Sequence, residues 1–118
     1  MELVDPNTNR AIILDTFRGR LAGWLGNTRI LNVIFTQRIL TPGDVAMMRK
    51  HSDQITLRGM ARVIERILDN RIVRRTLISY EMKRTRMSKA NVKADVDGYL
   101  MWAKELLRPG RAGIVTFN

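Results

Sequence analysis

Residues 56–86 read TLRGMARVIERILDNRIVRRTLISYEMKRTR. Leu57, Met60, Val63, Ile64, Ile67 and Leu68 recur at spacings of three and four, the stripe of an amphipathic α-helix. The stripe changes phase after Asp69-Asn70. At about 100° per residue, Arg71, Arg74 and Arg75 project where apolar residues stood before, and Ile72, Val73, Leu77 and Tyr80 open a new face. The stretch is therefore either two helices meeting near Asn70 or one long helix buried on different sides along its length.

The flanking chain carries helical punctuation too. Asp5-Pro6 opens a first helix, with Pro tolerated at the first helical position. Ile13, Phe17, Leu21 and Trp24 line one face of it, and Gly26-Asn27 ends it. Residues 28–40 are rich in β-branched and aromatic types, yet Leu31, Ile34 and Phe35 fit one helical face. Thr41-Pro42-Gly43-Asp44 combines an N-cap, a first-turn Pro and a first-turn acid, so a short helix runs to about Lys50. Ser88 caps the last helix, where Val92, Val96, Tyr99, Ala103 and Leu106 repeat at four, three, four and three. That seam could serve as a homo-oligomer contact. Arg108-Pro109-Gly110 ends the helix, and Ala112–Asn118 is a short apolar tail that could be extended. The expected fold is a compact all-α bundle of about five helices, one domain over 1–118.

Composition narrows the class. The 118 residues are 45% hydrophobic, enough for a core and too apolar for a disordered basic tail. No run reaches the roughly 18 apolar residues that cross a bilayer, so no membrane role is expected. The absence of cysteine excludes disulfides, thiol catalysis and cysteine-ligated zinc. The first residues lack the basic and apolar regions of a secretory signal, so an intracellular setting or a virion interior is expected.

The charge is uneven. The net charge is +10, and residues 58–93 hold eleven basic side chains against Glu65, Asp69 and Glu81, a surplus of eight. Arg outnumbers Lys sixteen to five, and guanidinium forks suit phosphate oxygens. Arg58, Arg62 and Arg66 form an i, i+4 row, and unpaired like charges at that spacing repel unless an anion neutralises them. Lys83, Arg84, Arg86 and Lys89 cluster between two helices. The expected phosphate contacts are Arg58, Arg62, Arg66, Arg74, Arg75, Lys83, Arg84, Arg86 and Lys89. Aromatic residues do not interleave with them, which favours backbone contact with duplex nucleic acid over base stacking on a single strand. A solvated or protein-facing basic surface is the plainer alternative, as in a capsid or connector subunit.

Two specific arrangements also fit parts of the chain. Residues 41–65 can be read as a helix-turn-helix whose second helix carries Arg58 and Arg62. The stretch Lys83-Arg84-Thr85-Arg86-Met87-Ser88-Lys89-Ala90-Asn91-Val92 is similar to the second loop and third-helix start of core histones. That resemblance implies a long central helix before it and, as an alternative role, a histone-fold-like assembly subunit. Asn91 stands where the histone pattern has an Asp that clamps the position of Arg84, and Gln54 stands where a loop Arg is usual.

Enzymatic chemistry has little to stand on. His51 is the only histidine and falls in a turn. Asp95 and Asp97 face different directions on a helix. Glu65 and Asp69 share a face with Arg62 and Arg66, where ion pairing explains them. No phosphate loop, nucleophile elbow or dinucleotide glycine pattern is present. No catalytic residue, metal or cofactor is expected.

Overall fold

A computed structural model describes residues 6–108, and side chains from residue 15 onward. The described residues form six α-helices and one 3-10 turn, with no strand among them. These are α1 (Pro6–Leu25), α2 (Thr28–Thr36), α3 (Pro42–Lys50), the turn Ser52–Gln54, α4 (Leu57–Asp69), α5 (Arg71–Thr85) and α6 (Lys89–Leu107). The Asp5 cap and the tail 112–118 lie outside the described residues, as does the side chain of Ile13.

Residues 56–86 are two helices, and Asn70 makes the break. Its backbone is extended (φ −83°, ψ 119°), closing α4 and opening α5 at one residue. Its Oδ1 accepts from the backbone N–H groups of Ile72 and Val73, both at 3.0 Å. Asn competes with helix by this local bonding, so a helix can restart where its side chain caps the next one. Asn70 Nδ2 also donates to Gln37 Oε1 at 3.4 Å, tying the break to the end of α2. Asn70→Ala is expected to destabilise the fold by about 1–2 kcal/mol, the usual value of a strong N-cap, read by urea denaturation. A loss of only a few tenths would contradict this role.

The expected caps at Thr41 and Ser88 are in place, and Asn27, expected in the stop of α1, caps the start of α2. Thr41 and Asp44 form a reciprocal capping box, with bonds of 2.9 and 3.0 Å. The Thr41 hydrogen bonds hold the Asp44 carboxyl below its usual range. Ser88 Oγ accepts from Asn91 N at 3.2 Å, and Asn27 Oδ1 accepts from Ile30 N at 3.0 Å. Residues 28–36 are helical rather than extended, burying Ile30 and Ile34.

α4 forms the centre. Leu57, Met60, Ala61, Ile64, Ile67 and Leu68 are all buried. Full burial of each Ile or Leu contributes about 1.5–3 kcal/mol. α4 packs chiefly on α6, and also on α1 and α5, while α2 lies against α5. The six-residue stripe needs an apolar partner, and the α6 seam is that partner. Val92, Val96, Tyr99 and Ala103 are buried in the same core, and Leu106 packs against it. The seam expected to join two copies is thus covered within the chain. Phe17, Tyr99 and Trp102 form an aromatic cluster with centroids 5.9–6.4 Å apart, so these rings are packing groups.

Gly19 and Gly23 sit inside α1, each costing about 1 kcal/mol relative to Ala. Close helix packing is not their reason. A Cβ at Gly19 would meet nothing within 4 Å, and one at Gly23 only Tyr80 Oη at 3.9 Å.

Candidate nucleic-acid interface

The three-residue link 86–88 turns α6 back along α5, and Arg74 pairs with Asp97 across the two helices. Between them lies a surface groove of about 560 Å³. Its cations are Arg71, Arg74 and Arg75 from α5 and Lys89 and Lys93 from α6; Ile78, Ser79 and Met82 complete its lining. Arg71 and Arg75 are one helical turn apart, as are Lys89 and Lys93, so each helix presents a pair about 6 Å apart along its axis. Among the described residues, Asp97 pairs with Arg74. Arg71, Arg75, Lys89 and Lys93 are exposed and have no acidic partner among the described residues.

The expected phosphate contacts divide into three groups. Arg74, Arg75 and Lys89 line the groove. Lys83 and Arg86 are exposed and outside its lining, Lys83 on the last turn of α5 and Arg86 in the link. Arg86 holds a left-handed backbone (φ 60°) as the C-cap of α5, a position where Gly is usual. The remaining four, Arg58, Arg62, Arg66 and Arg84, stand elsewhere.

Arg58 donates to the carbonyl of Leu106 at 3.1 Å, capping the C-terminal end of α6. Arg49 does the same for α1, donating to the Leu25 carbonyl at 2.6 Å. A cation at a helix C-terminus satisfies a free carbonyl and the negative end of the dipole. Arg62 and Arg66 are exposed on α4 and are not among the residues that line the α5–α6 groove. Asp69, expected beside them, pairs instead with Lys104 at 3.3 Å. The α4 row is therefore separate from the groove, and Arg58 is already engaged.

Arg84 lies nine residues after Arg75, half a turn round the helix at about 100° per residue. It therefore points away from the groove, to Glu81. Glu81 is 3% exposed, the one buried charged side chain among the described residues. Its Oε1 accepts from Arg20 Nη1 at 2.8 Å and from Arg84 Nε and Nη2 at 3.2 and 2.7 Å. Its Oε2 accepts from Trp24 Nε1 at 3.2 Å. The hydrogen bond to Glu81 raises the pKa of Arg84 further above its ordinary value. Arg20 also donates to Tyr99 Oη at 3.2 Å and lies over that ring at 5.4 Å. The cluster locks α1, α5 and α6 together.

Two arrangements suggested by sequence meet obstacles here. The histone resemblance implies an unbroken central helix, and α4 and α5 are separate. The helix-turn-helix reading needs α4 free to enter a groove, and α4 is packed by three helices with Arg58 turned onto α6. Sequence reasoning did not single out Arg71 and Lys93 as contacts, although each stands four residues from a residue that it did single out. No described helix is long and apolar enough to cross a membrane. Compared with known proteins, the chain matches no family model, no curated relative and no solved structure.

Proposed function

We propose that this domain binds the phosphate backbone of duplex nucleic acid in the α5–α6 groove. One observation carries the reading: five cations from two helices line one groove, and a single carboxylate offsets them. Like charges held this close repel, and a phosphate chain relieves the repulsion while accepting guanidinium and ammonium hydrogen bonds. Arg71, Arg75, Lys89 and Lys93 contact phosphate directly. Lys83 and Arg86 extend the cationic surface past the link. The aromatic rings of the core are engaged with one another, which supports backbone contact over base stacking. The reading involves no catalytic step and no cofactor.

Fluorescence anisotropy against duplex DNA, duplex RNA and a single strand tests this, each at two salt concentrations. Salt-sensitive binding favouring a duplex is expected. It should survive Arg62→Gln/Arg66→Gln on α4 with less than threefold loss. Absence of binding by the folded protein at low salt would refute the reading.

Asp97 supplies a further prediction. It competes with phosphate for Arg74, so Asp97→Asn should tighten binding several-fold and steepen the salt dependence by about 0.9 in log–log slope, one phosphate contact. Weaker binding of this variant would show that Asp97 orients Arg74 for the ligand.

A further inference from the structure

A second hollow, of about 350 Å³, lies beside the buried Glu81 cluster. It is lined by Thr16, Gly19, Arg20, Gly23, Tyr80, Glu81, Arg84 and Tyr99. Its volume is within the range of small-molecule sites, about 300–1,000 Å³. The chemistry of its walls is specific. Two guanidinium groups meet one carboxylate, so the trio keeps one positive charge. Glu81 and Tyr99 occupy Arg20 Nε and Nη1, and Glu81 occupies Arg84 Nε and Nη2. Arg20 Nη2 and Arg84 Nη1 remain without a partner among the described residues. Glu81 fixes both forks in place, so the ordering cost of an arginine anion site is met before any ligand arrives. Two phenol rings, Tyr80 and Tyr99, stand beside them.

The glycines of α1 point the same way. Both weaken the helix, neither is required by close packing, and both line this hollow. What they do is leave its wall open. A Cβ at Gly19 would meet no described neighbour within 4 Å.

We propose that the hollow binds a small organic phosphate monoester, with the phosphate on the free edges of Arg20 and Arg84 and the organic body against Tyr80 and the open surface at Gly19. A nucleoside monophosphate has the matching size and chemistry. The site is independent of the α5–α6 groove, since Arg84 faces the opposite side of α5.

Isothermal titration calorimetry of the full chain with AMP, CMP, ribose 5-phosphate and inorganic phosphate tests the proposal. Gly19→Leu blocks the hollow without touching the Glu81 cluster, and circular dichroism checks that it melts no lower than the native protein. One-site binding of at least one ester is expected, at least tenfold tighter than inorganic phosphate and at least tenfold weaker in Gly19→Leu. Equal affinity for inorganic phosphate would overturn the assigned organic body. Unchanged binding in Gly19→Leu, or no heat from any ester at millimolar concentration, would overturn the site. Arg71→Gln/Arg75→Gln should bind the ester unchanged, which separates this result from that of the groove.

Discussion

Glu81→Ala is expected to destabilise the domain by about 3 kcal/mol, a large share of the ~5–15 kcal/mol that holds a domain of this size together. Removing one partner of a buried ion pair costs about 3–5 kcal/mol, because the opposite charge stays behind without compensation. Here the carboxylate serves three donors, so Arg20, Arg84 and the Trp24 indole N–H all lose their acceptor. The side chain of Arg84 is 45% exposed and can turn to water, which places the effect near the lower end of that range. Arg20 is held by Tyr99 and the surrounding helices and has less freedom to follow. Glu81→Gln keeps one acceptor for Trp24 and should cost less than Glu81→Ala. Arg84→Ala should cost least of the three. Urea denaturation gives the order directly, with the midpoint falling at constant slope. A Glu81→Ala midpoint close to that of the native protein would mean that the cluster contributes little.

The second large effect concerns binding. Replacing Arg71, Arg75, Lys89 and Lys93 together by Gln removes the four groove cations that have no internal partner. Each contact with duplex DNA contributes about 0.9 to the log–log salt slope, so four give a slope of about −3.6. At about 150 mM salt that term is worth about a thousandfold in affinity. The four side chains are exposed and bond to nothing else described, so the variant should keep native stability. Gln also retains helix propensity close to that of Lys and Arg. The same number of charges removed from Arg29, Arg38, Arg62 and Arg66 should cost far less, because those residues do not line the groove. Comparable losses from the two sets would show that affinity follows net charge alone.

The helices were legible in the sequence because their signals are local. Thr41 and Ser88 cap through residues three positions away, and such bonds are visible in the order of side chains, whereas Asn27 read only as a helix stop and its cap on α2 did not show. The phase change at Asn70 was legible as well, but a shift of stripe fits a bent helix and a broken one equally. The Asn70 side chain decides, by capping α5 itself. The Glu81 cluster was not legible, because its partners Arg20 and Trp24 lie 61 and 57 residues away. The row at Arg58, Arg62 and Arg66 was read correctly as one helical face. Spacing does not say what stands opposite a face, and for Arg58 it is the end of α6. The α6 seam shows the same limit: its repeat was clear, while its partner proved to be α4 of the same chain. Arg84 is close to Lys83 and Arg86 in sequence, while its guanidinium turns to Glu81 on the side of α5 away from the groove. The groove exists because the short link turns α6 back on α5, so only the fold brings Lys89 and Lys93 beside Arg71 and Arg75.

The most direct test of the central claim is the salt dependence of duplex binding, measured side by side for the native protein and the Arg71→Gln/Arg75→Gln/Lys89→Gln/Lys93→Gln variant. The groove account predicts a native log–log slope of about −3.6 or steeper, and a slope shallower by about 3.6 in a variant that remains folded. The same slope in both proteins, or no measurable binding by the native protein at low salt, would contradict it.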